Sequence, residues 1–152
     1  MKYLNKTLCM IGMFPPPVTG MSAINNFMAE YISSLGIKPL IINYSSGWLG
    51  PSSMSFFLKI YKFITAFFKV SYFLAFSRIS SLYMGFSGNK GQIYDAFFII
   101  VFQIFLRKIY LHHHSYKYIN KFSLISYLIF IIAGKKAVHV VACEKMKHDL
   151  IR

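Results

Sequence analysis

Three consecutive histidines, His112-His113-His114, followed by Ser115, form the densest group of chemically competent side chains in this 152-residue sequence. They close an apolar run, Lys108–His112, that reads as a strand. Along an extended chain His112 and His114 share one face and His113 takes the other. An imidazole at the carboxyl end of a strand, in a cleft, can act as base, donate a hydrogen bond or orient a substrate. The simpler reading of each is a partly buried, hydrogen-bonded side chain. Zinc is poorly served: adjacent residues cannot all turn to one ion, and no Asp, Glu or Cys stands nearby. His139, inside a predicted strand, reads as a core histidine, and His148, on the last predicted helix, as a solvated one.

The second constellation is Gly12-Met13-Phe14-Pro15-Pro16-Pro17-Val18-Thr19-Gly20-Met21-Ser22. An apolar run ends in glycine, a proline-stiffened loop follows, and a second glycine precedes a polar residue suited to cap a helix. The loop has no G-x-G-x-x-G, no G-K-[ST], and Asn43 rather than an acid at the end of the next predicted strand. It is therefore neither a dinucleotide fingerprint nor a P-loop. Its offering is the backbone amides of Gly20, Met21 and Ser22 at a helix N-terminus, donors that suit a phosphate. Gly20 would allow close approach of a ligand to the backbone. A tight turn without a ligand explains the same residues.

These loops need a scaffold. Leu8–Ile11 and Pro39–Asn43 read as buried strands around a helix at Ser22–Leu35, whose stripe is Ile24, Phe27, Met28, Tyr31, Ile32 and Leu35, closed by Gly36. Ser55–Ser77 reads as an aromatic-rich helix with Lys59, Lys62 and Lys69 on one face, fit either for water or for an anionic membrane surface. Ile79–Met84 is a third strand, and Gly85–Gly91 a loop made flexible by its glycines. Gln92–Phe105, apolar nearly all round, reads as a helix that wants cover from another domain or a membrane. After the fourth strand come a helix at Ser123–Ala133, capped by Ser123 and ended by Gly134, a fifth strand at Ala137–Cys143 and one more helix from Glu144. The alternation predicts an α/β fold, a Rossmann-like doubly wound parallel sheet of about five strands with flanking helices. Ligands of such sheets bind outside the carboxyl ends of the strands, where both loops fall.

Composition narrows the partners. A net charge of +13, with Glu30, Asp95, Glu144 and Asp149 the only acids, attracts anionic lipid, nucleic acid or phosphorylated substrates. AT-rich coding, which inflates Lys, Ile, Phe, Tyr and Asn together, accounts for part of it. No helix-turn-helix, zinc finger or RNP-like strand is legible, so nucleic acid is not an expected partner. Apolar residues reach 56%, yet the longest runs, Ala96–Leu106 and Phe122–Gly134, are too short to cross a bilayer. With no convincing signal peptide, a cytoplasmic protein is expected. Cys9 and Cys143, each inside a predicted buried strand, read as small hydrophobes in a reducing compartment.

The segment Met10 to Ser22 resembles the N-terminus of family 4 (group 1) glycosyltransferases of the GT-B fold, with their I-G-x-x-P-P-P-x-x-G-hydrophobic-S opening. Tyr110-Leu111-His112-His113-His114-Ser115 is similar to the family's H-x-H-[ST/G] segment. Val140-Val141-Ala142-Cys143-Glu144-Lys145-Met146 is similar to its strand leading to an S-x-x-hydrophobic helix, with Cys-Glu in place of Ser. The resemblance implies metal-independent transfer of a sugar, with no cofactor, from a nucleotide-sugar to a glycan or lipid-linked acceptor at the cytoplasmic membrane face. It further implies that Gly20 and Met21 approach the donor diphosphate, that His114 contacts the transferred sugar as the catalytic-site histidine, and that Asn89 and Lys90 lie near the acceptor. It also implies a second, nucleotide-binding domain with an E-x7-E pair, which these residues do not supply. The expectation is a single, incomplete acceptor-side domain over 1–152, truncated and with little or no activity alone. A non-catalytic basic membrane-surface module, or a gene remnant exposing apolar surface, are the alternatives.

Overall fold

In the computed structural model of the chain, residues 7–45, 47, 52–76, 79–88, 91–105, 107–120, 123–135 and 137–151 are described. Five strands, β1 (Thr7–Gly12), β2 (Leu40–Asn43), β3 (Ile79–Phe86), β4 (Lys108–His113) and β5 (Val138–Val140), alternate with helices. These are α1 (Gly20–Ser34), α2 (Ser52–Phe76), α3 (Gln92–Ile104), α4 (Lys117–Asn120), α5 (Leu124–Ala133) and α6 (Glu144–Ile151). The strands form one parallel sheet in the order β2-β1-β3-β4-β5, so the expected Rossmann-like α/β fold is present. The chain divides into two compact units, Met1–Ser81 and Leu82–Arg152, with the boundary inside β3.

In the first unit Cys9 pairs with Leu40 and Gly12 with Asn43. Cys9, Met10 and Ile11 are wholly enclosed, as expected of a strand covered on both faces. Burial drives the Cys9 thiol up to about 12, which keeps it an inert hydrophobe. The α1 helix starts at Gly20, not Ser22. Thr19 is its N-cap, and Ser22 sits at the third helical position as the other half of a capping box. Its expected apolar stripe is also corrected. Phe27, Tyr31 and Leu35 face outward, while Ser22, Asn25, Ala29 and Ile32 are buried. The α2 helix buries Ala66, Val70 and Leu74.

In the second unit Tyr110 pairs with Val138 and His112 with Val140. Along β4, Ile109, Leu111 and His113 are buried while Tyr110 and His112 are partly exposed, the alternation of a strand with one fully covered face. The α3 and α5 helices pack together through a polar clasp inside apolar surroundings. Gln92 Nε2 donates to Ser126 Oγ at 2.9 Å, and the Gln103 amide donates to the Ala133 carbonyl. Their outer faces stay apolar: Ile93, Phe97, Ile100 and Ile104 on α3, and Leu124, Ile125, Leu128 and Ile131 on α5. The fifth strand is shorter than expected, so Cys143 lies beyond it and is exposed rather than buried. His139 sits on this edge strand with one side open and is not a core residue. Among the described residues no helix is long and apolar enough to cross a membrane.

Candidate functional site

The loop between β1 and α1 is held from below by three polar side chains. Asn43 Oδ1 accepts the amides of Phe14 at 3.2 Å and Ser45 at 2.8 Å, and Asn43 Nδ2 donates to the Phe14 carbonyl at 3.3 Å. Ser45 Oγ donates to the Pro16 carbonyl at 3.1 Å. Asn25 Nδ2 donates to the Met13 carbonyl at 3.0 Å. A Cβ on Gly12 would stand 2.7 Å from that nitrogen, so a side chain there would push Asn25 off its hydrogen bond to Met13. Asn25 Oδ1 is buried and has no hydrogen-bond partner.

At the head of α1, Ser22 Oγ accepts the Thr19 amide at 2.7 Å and donates to the Pro17 carbonyl at 2.9 Å, while Thr19 Oγ1 accepts the Ser22 amide at 3.1 Å. The Ser22 amide is thus spent on the cap, and its hydroxyl is buried. Gly20 is exposed and a side chain there would meet nothing within 4 Å. The first turn carries no acid, so the positive end of the helix dipole is left uncompensated. Gly20 and Met21 carry what remains of the expected phosphate site. Its architecture depends on Asn25, Asn43 and Ser45, which sequence reasoning missed. The Thr19-x-x-Ser22 spacing was the one available signal for the true cap.

The histidines at the end of β4 split into two environments. His113 is completely buried. Its Nδ1 lies 2.8 Å from the Tyr118 hydroxyl and its Nε2 2.8 Å from Nδ1 of His139, whose ring stacks on it. Phe86 and Phe130 close around the pair. Burial, then the neighbouring histidines, drive the His113 pKa down to about 3. His112 and His114 turn the other way, as the alternation requires, with ring centroids 4.1 Å apart. His112 Nδ1 is hydrogen-bonded to the Tyr83 hydroxyl.

His114 is the exception among them. Its Nε2 is buried without a hydrogen-bond partner. Burial first, then the charge of His112, lower its pKa to about 4, so the ring is neutral at physiological pH. Such a group is a poor general base near pH 7, because its basicity is too far below the operating pH. It remains an oriented hydrogen-bonding group with an unused atom.

The glycines that flank the next loop are held close to their neighbours. A Cβ on Gly88 would stand 2.6 Å from Ser115 Oγ, and one on Gly91 would stand 2.9 Å from Ser87. Neither glycine has a positive φ. Asp95, fully buried, accepts the Ser87 amide at 2.8 Å and fixes the start of this loop. Asn89 and Lys90 lie outside the described residues.

The site residues fall in different units: Gly20, Met21, Ser22 and the lysines in the first, His114 in the second. Lys59, Lys62 and Lys69 are all exposed on α2, and Lys62 and Lys69 share a groove with β2 that Lys59 does not line. No group of three or more His, Cys, Asp or Glu side chains among the described residues is placed to hold a metal ion. No family model matches the chain, and neither the curated proteins nor the solved structures searched contain a match to it.

Proposed function

We propose that the chain is the acceptor-side part of a nucleotide-sugar-dependent glycosyltransferase that works at an anionic membrane surface. One observation carries the reading: His114, at the carboxyl end of a parallel strand, has a neutral imidazole whose buried Nε2 has no partner. An unsatisfied buried polar atom is costly, and a polar ligand that pairs with it relieves that cost. Sugar hydroxyls are ligands of the required kind, able to donate or accept. The low basicity of His114 fits alignment of a sugar rather than proton transfer. Separately, within the first unit, the uncompensated N-terminus of α1 fits a phosphate.

The test is a titration of the isotope-labelled chain with UDP-glucose, UDP-N-acetylglucosamine and GDP-mannose at millimolar concentration, followed by NMR. Saturable shifts of the His114 ring nitrogens and of the adjacent Ser115 amide are expected, with the Ser115 shift lost in His114→Phe. A His114 ring indifferent to every nucleotide-sugar and to simple glycans overturns the reading.

A membrane-surface role has its own support in α2. Phe57, Tyr61, Ile64, Phe68 and Tyr72 recur every three or four residues and all face outward, Phe57 at 68% and Phe68 at 67% exposure. An outward aromatic stripe flanked by Lys62 and Lys69 is the composition of an interfacial helix. Flotation with anionic vesicles tests it. Salt-sensitive binding weakened by Lys62→Glu and Lys69→Glu is expected, and binding unchanged by them removes the role.

A further inference from the structure

Between the edge strand β2 and the flank of α2 runs an open groove of about 650 Å³. That is within the usual range of roughly 300–1,000 Å³ for a small-molecule site. Its floor and walls are apolar: Leu40, Ile41 and Ile42 from β2, and Ala66, Phe68 and Phe73 from α2. Its charged lining residues are Lys62 and Lys69, with no acid among the residues that form it. Glu30 is the only acid anywhere in residues 1–81. At about 1.5 Å rise per residue the two lysines stand about 10 Å apart along the helix, so both ammonium groups can reach one phosphate set between them. Phe68 and Tyr72 belong both to the groove and to the outward aromatic stripe, which makes the groove continuous with the surface proposed to meet lipid.

We infer that this groove binds an anionic lipid, a phosphate ester carried on a hydrocarbon chain. The chain lies along Ile41, Ala66 and Phe73, and the phosphate is held by Lys62 and Lys69. An apolar slot alone does not select among apolar partners; two lysines without acidic neighbours at its edge select for an anion at one end of the chain. The inference rests on the membrane-surface reading of α2 but asks more of it: one lipid molecule in a defined slot, in addition to adhesion by charge and aromatic contact.

The probe is a short-chain lysophosphatidic acid kept below its micelle concentration, titrated into the whole chain with the Ile41 and Thr65 methyl resonances observed. One-to-one saturable binding is expected. Inorganic phosphate alone and the uncharged monoacylglycerol of the same chain length are expected to bind at least about tenfold more weakly, since each keeps only half of the recognition. Combined Lys62→Glu and Lys69→Glu should weaken the lysolipid at least about tenfold, Thr65→Trp should block it by filling the slot, and Lys59→Glu should leave it unchanged. Absence of saturable binding, or binding indifferent to both the lysine pair and Thr65→Trp, overturns the groove. Vesicle flotation separates the two readings: vesicle binding that persists while the monomeric lysolipid fails to bind leaves the surface role standing and removes the slot.

Discussion

The Nε2 atom of His113 lies 2.8 Å from Nδ1 of His139, and the two rings stack with 16° between their planes. One nitrogen of this pair must donate and the other accept, so the contact is satisfied with both rings neutral. The Tyr118 hydroxyl at 2.8 Å on the opposite nitrogen of His113 extends the chain of hydrogen bonds without adding charge. Protonation of His113 would place a cation in a fully buried position against a second histidine.

A pH dependence follows. The folded-state pKa values of His113, about 3, and His114, about 4, lie below the 6.5 of a free imidazole. The unfolded chain therefore takes up protons that the folded chain refuses. This contribution is absent as a penalty above pH 6.5 and grows as the pH falls through the window towards 4 and then 3. The slope is up to about 1.4 kcal/mol per pH unit for each histidine. Urea denaturation near neutral pH and at about pH 4.5 should show a clear loss of stability on acidification. In His113→Phe the slope should fall by about one proton; an unchanged slope would place the titrating group elsewhere.

Gly88 and Ser115 predict a steric coupling between the loops after β3 and β4. Gly88→Ala puts a methyl 2.6 Å from Ser115 Oγ. A destabilisation of about 1–3 kcal/mol is expected from the overpacking. Ser115→Gly, small on its own, should recover most of it, and a double-mutant cycle measures the coupling. Additive effects of the two changes would contradict the contact.

What could be read without coordinates follows from period and punctuation. The short apolar runs between glycines and polar residues marked the strands, and Ser123 with Gly134 marked both ends of α5, because caps and terminators act locally. The buried face of α1 could not be read the same way. With apolar residues at Ile24, Phe27, Met28, Tyr31 and Leu35 the stripe is wide, and packing chose the small residue Ala29 and the polar Ser22 and Asn25, which lock the adjacent loop. Thr19 and Ser22 are both cap-type residues, and only the true start at Gly20 separates their roles. The division of the three histidines, with His113 buried against His139, His112 bonded to Tyr83 and His114 unpartnered, was half legible. Alternation separates His113 from His112 and His114, but the partner His139 comes from a strand 26 residues away in sequence.

The capping box gives a graded prediction. Thr19→Ala removes one acceptor and should cost about 1 kcal/mol. Ser22→Ala removes the group that both accepts the Thr19 amide and donates to the Pro17 carbonyl in a buried position, so it should cost more, about 2 kcal/mol. Thermal denaturation of both variants checks the order. A Thr19→Ala effect larger than that of Ser22→Ala would mean the hydroxyl of Ser22 does not hold the loop.

The outer faces of α3 and α5 predict the solution behaviour. Ile125 and Leu128 are each about half exposed and neither helix carries an exposed charge among its side chains. Contiguous apolar surface of this kind drives self-association. Ile125→Lys with Leu128→Lys should raise the concentration at which the chain stays monomeric, with a change in stability within about 0.5 kcal/mol, as expected of surface substitutions. Light scattering reads the first quantity and thermal melts the second. A large loss of stability would mean that these side chains are part of the core.

His113 and His114 should respond in opposite ways to the same substitution. His113→Phe leaves the Tyr118 hydroxyl and the His139 nitrogen facing a ring with no polar atom, and should cost about 1–3 kcal/mol. His114→Phe removes a buried nitrogen that already lacks a partner, so it deletes a penalty along with the ring's contact to His112. Its stability should be unchanged or slightly higher. That outcome would free His114 of a structural role, as ligand recognition at the end of β4 requires. Equilibrium unfolding of the two variants side by side decides it: a His114→Phe loss as large as that of His113→Phe would make His114 a structural residue and remove it from the candidate site.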